Sequence, residues 1–190
     1  MDYEAVLVAL DVGTSKVVAL VGEVAPSGSV SIIGKGVEPS TGLRKGQVIN
    51  IEQTVASIRG AVTAAERLSG MHLEAAFVSV GGAHVASENS KGLVAVGGQG
   101  REVSREDVER VTEVAKAVSI PSSREILHVV PRDFTVDGQE GVKDPLGMIA
   151  LRLEVETHIV SGAAPALQNL SKCVKLAEVR VDEQIGRAHV

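Results

Sequence analysis

The sequence predicts an α/β fold that carries a smaller inserted α+β unit, and three observations predict it. First, the core is built almost without aromatics. The 190 residues hold no Trp, one Tyr and two Phe, against an apolar fraction of 44%, and Val, Ile, Leu and Ala suit a sheet buried on both faces. Second, residues 5–80 read as three strands, a helix and a strand. Third, the pattern changes after that point, and residues 149–160 alternate apolar with charged side chains. That alternation marks an antiparallel sheet covered on one side only. The length fits one domain, or one domain with a smaller insertion.

Residues 5–10 and 17–21 are short apolar runs joined by the polar turn Asp11-Val-Gly-Thr-Ser-Lys16, which predicts a hairpin. A third run, 30–37, follows the turn at Pro26. Its Gly34 and Gly36 either weaken the strand or mark a close backbone approach. Residues 38–50, rich in Pro, Ser, Thr and Gly, read as a loop. From Ile51 the period becomes helical, through Val55, Ile58, Val62 and Ala65, with Gly70 as the C-cap. Residues 75–80 return to a strand ending at Gly81-Gly82.

In the middle of the chain, residues 93–96 form a short strand closed by Gly97-Gly98. Ser104 is placed to cap a helix, with Asp107 three positions on, close to a capping box. Val108, Val111, Ala115 and Val118 make its apolar stripe, and Glu106 is spaced to pair with Arg110. Residues 126–136 read as a strand that Pro131 confines to an edge or a bulge. In 149–160, Leu151, Leu153, Val155, Thr157 and Ile159 form the buried face. Strand, helix, strand, strand is the expected order of the insertion. Residues from Ala163 are helical again, with Pro165 early and Leu167, Leu170, Val174 and Ala177 on one face. A further strand starts at 178–181.

Composition excludes several classes. A net charge of −5 and the lack of aromatic platforms argue against a nucleic-acid binder. A single cysteine, Cys173, excludes an internal disulfide framework and a multi-thiolate metal site, and its apolar neighbours make it a core residue. The start Met-Asp-Tyr-Glu is acidic where a secretory signal is basic, and no apolar stretch reaches membrane-spanning length. The chain is expected to be cytoplasmic.

The best candidates for chemistry lie in the first hairpin: Asp11, Gly13, Thr14, Ser15 and Lys16. A glycine lets backbone approach a phosphate, and successive turn N–H groups form an anion nest. The hydroxyls add donors, Lys16 adds charge, and Asp11 suits a hydrated Mg²⁺. An ordinary hairpin turn uses the same residue types. Other candidates are weaker. His72, His84, His128 and His158 lack metal-ligand spacing. Arg44 and Lys45 read as a solvated loop, with a nucleotide or partner contact as the alternative. No nucleophile, base and orienting group can be picked out, so no catalytic residue is assigned.

The segment LDVGTSK after a first strand resembles the first phosphate loop of the actin, heat-shock chaperone and sugar-kinase superfamily. The stretches EPSTGLRKGQVINIEQTVASIRGAV, VSREDVERV and ILHVVPRDFTVDGQEGVKDPLGM resemble one family within it, the bacterial cell-division proteins called FtsA. The resemblance runs from Val6 to about Glu183. It implies an actin-like (ribonuclease H-like) subdomain 1A over 1–83 and 157–183, incomplete, with an inserted subdomain 1C over 84–156. It further implies a cell-division scaffold that binds ATP with Mg²⁺, polymerises, and tethers the ring protein FtsZ to the inner membrane. Subdomain 1C would contact neighbouring subunits and later division proteins, and the protein would lie on the cytoplasmic side of the membrane at the division site. By position, Asp11 would face the metal through water, and Gly13, Thr14, Ser15 and Lys16 would line the phosphates. A sugar- or acetate-kinase-like enzyme is the alternative, and an actin-like scaffold of the rod-shape or pilus-assembly kind is a third reading.

Several family features are not found in these 190 residues: the second, DIGGGT-like phosphate loop, the adenosine pocket, the FtsZ-binding region and the C-terminal amphipathic membrane helix. The chain is therefore expected to be an N-terminal fragment that binds ATP weakly or not at all and is inactive, whereas the full-length protein is at most a weak ATPase. Gln184-Ile-Gly-Arg-Ala-His-Val190 departs from the family, lacks a strand pattern, and matches the translation of a common sequencing-library adapter. The expectation for 184–190 is a non-native tail.

Overall fold

A computed structural model describes residues 5–98, 100–117 and 120–186. The elements are β1 (Ala5–Val12), β2 (Lys16–Val24), β3 (Val30–Pro39), β4 (Leu43–Arg44), β5 (Gln47–Val48), α1 (Ile51–Ser69), β6 (Ala75–Val80), β7 (Val85–Ala95), α2 (Arg105–Ala117), β8 (Arg124–Val136), β9 (Gln139–Val142), β10 (Arg152–Ala163), α3 (Ala164–Leu176) and β11 (Arg180–Gly186). They form two compact units. One holds the chain up to Val85 and from Gly162 onward, and the other is Ala86–Ser161.

The first unit is built on a five-stranded sheet in the order β11-β6-β1-β2-β3. β1, β2 and β3 are successive antiparallel neighbours, while β6 runs parallel to β1 and β11 parallel to β6. One row across it reads Gln184, Val78, Leu10, Ala19 and Gly36. Both helices lie on this row's face. Gly36 meets the backbone of Ala61 in α1, and the Gln184 side chain donates to the Leu167 carbonyl and the Ser171 hydroxyl of α3. Gly34 and Gly36 thus mark a close backbone approach: a Cβ on Gly36 would fall 1.7 Å from the Ala61 carbonyl oxygen.

α1 forms where its period predicted. The Asn50 side chain accepts from Gln53 N–H at the N-terminus, and Gly70, at φ 71°, closes the last turn with its N–H on Glu66 O. Val55, Ile58, Ala61, Val62 and Ala65 are buried, and a large aliphatic side chain among them contributes about 1.5–3 kcal/mol by leaving water. In α3, Leu167, Leu170, Cys173 and Val174 are buried. Burial pushes the Cys173 thiol pKa up, which keeps it protonated and unreactive.

Three sequence expectations are corrected in this unit. Asp11 and Lys16 are strand residues rather than turn residues, so only residues 13–15 form the hairpin loop. Residues 38–50 are not a plain loop, because β3 runs on to Pro39 and β4 and β5 pair within it. Finally, β11 continues through Gly186, with Gln184, Ile185 and Gly186 paired to Val78, Ser79 and Val80. A strand pattern was not visible there because the apolar alternation is weak on an edge strand. The rest of the suspected tail, 187–190, lies outside the described residues.

The second unit has a four-stranded sheet, β7-β10-β8-β9, with α2 packed on one side. Val94, Val111, Ala115, Phe134, Val136, Leu153 and Val155 belong to its buried core. β7 repeats the glycine device, since a Cβ on Gly92 would lie 2.3 Å from the Val111 carbonyl oxygen of α2. The order is strand, helix and three strands: β9 escaped the sequence reading. Asp137 and Gly138, at φ 47° and 90°, form the two-residue turn between β8 and β9. The Asp137 carboxylate accepts from the N–H groups of Leu151 and Arg152.

Other local differences have simple causes. β7 begins at Val85 rather than near residue 93, because its first half is exposed and polar and carries no alternation. Leu151 is 53% exposed and precedes β10, so the buried face starts at Leu153. Pro131 sits in a continuous β8, where β9 pairs only around Phe134 and Val136, leaving the proline clear of that ladder. Arg110 bonds the buried Asp107 at 2.7 Å rather than pairing with Glu106. Val118, assigned to the helix stripe, lies outside the described residues.

Candidate functional site

The candidate residues of the first hairpin lie at one end of the parallel pair β1 and β6, at and just beyond the carboxyl end of β1. Asp11 is the penultimate residue of β1, in a row reading Ile185, Ser79, Asp11, Val18 and Val37. Side chains alternate across a strand, so this row faces away from α1 and α3. Ser79 Oγ donates to Asp11 Oδ1 at 2.9 Å, which fixes the carboxylate beside the loop.

The loop itself is short. Gly13 N–H donates to the Lys16 carbonyl at 3.0 Å, closing the hairpin. That amide is engaged, so an anion nest here draws on the N–H groups after it. Gly13 has no left-handed φ. Its constraint is space, since a Cβ would lie 3.1 Å from Lys16 O. Thr14, Ser15 and Lys16 are exposed. Two neighbouring segments hold the loop in place: Ser40 N–H donates to the Ser15 carbonyl at 3.1 Å, and Gly46 N–H donates to Thr14 Oγ1 at 3.1 Å.

The structure therefore brings together all five predicted residues and adds Ser79, Ser40 and Gly46, which the sequence reading missed. A signal existed for Ser79: a hydroxyl on the alternate face of a strand that ends in Gly81-Gly82. Arg44 and Lys45 are exposed on the β4–β5 hairpin, adjoining the loop through Gly46. The described histidines form no metal-binding cluster. His84 is buried, while His72 bonds Glu66 and His158 bonds Asn89. Among the described residues no cluster of three or more His, Cys, Asp or Glu forms a metal site. Among them also, no helix is long and apolar enough to cross a membrane.

This sheet, with its hairpin loop and an inserted α+β unit, defines a domain of the actin-like fold class. The solved PilM-PilN type IV pilus biogenesis complex has the same fold, at a TM-score of 0.65 over 95% of this chain and 47% of that one, with 11% identity. A sequence model described as the SHS2 domain inserted in FtsA matches residues 82–161. The cell division protein FtsA of Pseudomonas aeruginosa is 48% identical over 179 residues, covering 94% of this chain and 42% of the relative. The Bacillus subtilis protein of that name is 40% identical over 183 residues, 96% of this chain and 41% of its own. The chain belongs to the FtsA family. It spans less than half the length of the curated relatives it matches. Nothing in these comparisons supports the kinase alternative.

Proposed function

We propose that this chain contributes the first phosphate loop of an ATP-binding cell-division scaffold. The observation that carries the reading is the grouping of Asp11, near the carboxyl end of β1, with Thr14, Ser15 and Lys16 just beyond that end, where open α/β sheets receive ligands. Lys16 and the loop amides after Gly13 would meet phosphate oxygens, with hydroxyl donors from Thr14 and Ser15. Asp11 suits Mg²⁺, a hard cation that commonly keeps its waters and uses one carboxylate plus phosphate oxygens. The ion would neutralise phosphate charge, and Ser79 would keep the Asp11 carboxylate turned toward it.

Membership of the FtsA family supports the wider reading. The complete protein would polymerise, bind FtsZ and hold the division ring at the cytoplasmic face of the inner membrane. The inserted unit, Ala86–Ser161, would contact neighbouring subunits and later division proteins. Placing residues 5–183 in the Pseudomonas aeruginosa relative in place of its matching segment gives a chimera of the relative's length. ATP binding by that chimera should require Mg²⁺, and Asp11→Asn should weaken it about tenfold or more, as loss of a charged contact does. A chimera that binds ATP equally well with and without Asp11 refutes the assignment. The 190-residue chain alone should bind Mg·ATP weakly or not at all in calorimetric titration. Tight, Mg²⁺-dependent binding would sink that expectation.

A further inference from the structure

The contact between the β4–β5 hairpin and the phosphate loop is more constrained than one hydrogen bond implies. Lys45 and Gly46 connect the paired residues Arg44 and Gln47, with φ of 52° and 79°. Both being left-handed, they form the primed two-residue turn of a tight hairpin. A Cβ on Gly46 would lie 2.2 Å from the Gly81 carbonyl oxygen and 2.8 Å from Gly82 Cα. Conversely, a Cβ on Gly82, at φ 124°, would lie 2.6 Å from the Lys45 carbonyl oxygen. Each glycine backbone occupies the space a side chain would need at the other. The direction of the Gly46 N–H is therefore set by the end of β6 as well as by its own turn.

We propose that Gly46 is a positioning residue for the phosphate loop, and that the β4–β5 hairpin reports on what the loop holds. The Thr14 oxygen accepts the Gly46 N–H, so its own proton cannot lie along that direction and stays available as a donor. A β-branched side chain has few χ1 states, so anchoring the oxygen leaves the hydroxyl little freedom. A phosphate oxygen entering the loop meets a donor already aimed, or else it pulls Thr14 off Gly46. In both cases the hairpin amide senses it, and Arg44 and Lys45 ride on the same turn. The inference rests on the phosphate reading above and deepens it.

The test uses the ¹⁵N-labelled chain, Thr14→Val and Thr14→Ser. Without ligand, the Gly46 amide should exchange with solvent about fivefold faster in Thr14→Val, the loss of one ordinary hydrogen bond, while Thr14→Ser stays near the parent rate. Equal rates in all three overturn the positioning role, whatever the loop binds. Inorganic triphosphate with Mg²⁺ is then titrated to millimolar concentration into the ¹⁵N-labelled full-length chimera described above, and into its Thr14→Val form, while amide shifts are followed. Shifts at residues 14–16 together with Gly46, with the Gly46 shift lost in Thr14→Val, support the inference. Shifts at 14–16 that leave Gly46 unmoved overturn it and keep the phosphate reading. No shift at 14–16 removes the phosphate reading and the inference with it, even where the exchange result stands.

Discussion

Gly36→Ala is expected to cost about 3 kcal/mol or more, at or beyond the upper range for overpacking a core. The added Cβ would stand 1.7 Å from the Ala61 carbonyl oxygen and 2.7 Å from its carbonyl carbon. Both are backbone atoms of α1, so no side-chain rotation relieves the clash. The helix must lift from β3, and Gly34, whose Cβ would lie 2.8 Å from Ala65 O, blocks a slide along the same strand. Small domains have only about 5–15 kcal/mol of stability in all. The measurement is amide exchange within α1, because two units need not unfold together. Gly98→Ala is the control: nothing lies within 4 Å of its added Cβ, so exchange should barely change. Parent-like protection of α1 in Gly36→Ala would contradict the packing of α1 on β3.

Asp107→Asn should destabilise the second unit by about 2 kcal/mol and flatten its loss of stability in acid. Asp107 is fully buried at the start of α2. Its Oδ2 accepts from Ser104 N–H at 3.0 Å and Ser104 Oγ at 2.7 Å, and from Arg101 at 3.3 Å, while Oδ1 accepts from Arg110 at 2.7 Å. The Ser104 hydroxyl is the main cause of a lowered carboxyl pKa, helped by the Ser104 amide and both guanidinium groups and opposed by burial. A lowered folded pKa gives stability that is present above the ordinary aspartate value. It is lost as pH falls through the lowered one, so the window lies below about pH 4. Both arginines are nearly half exposed, so solvent screening keeps the ion pairs secondary to the capping bonds. Denaturant midpoints of the parent and Asp107→Asn should converge as pH drops below about 4. A constant gap down to pH 2 would show that the carboxylate's charge contributes nothing.

Much of the fold was legible because it rests on local period and punctuation. α1 with its Gly70 cap, the strand β6, the Ser104–Asp107 cap and the α3 stripe all follow from side-chain spacing. The missed elements are short or exposed. β4 and β5 have two residues each and β9 has four, too few for a period to show. The first half of β7 is polar on both faces, so pairing rather than burial makes it a strand. The five candidate residues were legible as types in a turn. Their common geometry was not, because Asp11 proves to be a strand residue held by Ser79, 68 positions away.

By itself the sequence determined the α/β class, the apolar core without tryptophan, the presence of an inserted unit and the family, and it singled out the loop residues as candidates. These depend on residue type and spacing along the chain. Only the tertiary structure decided which glycines touch which backbones, which sheet face carries Asp11, and that Gly46, packed against Gly81-Gly82, donates to Thr14. The physical reason is that a hydrogen bond or a missing Cβ takes its meaning from the atom across the gap. That atom belongs to a segment 32 residues away in the case of Gly46 and Thr14, beyond the reach of any local pattern.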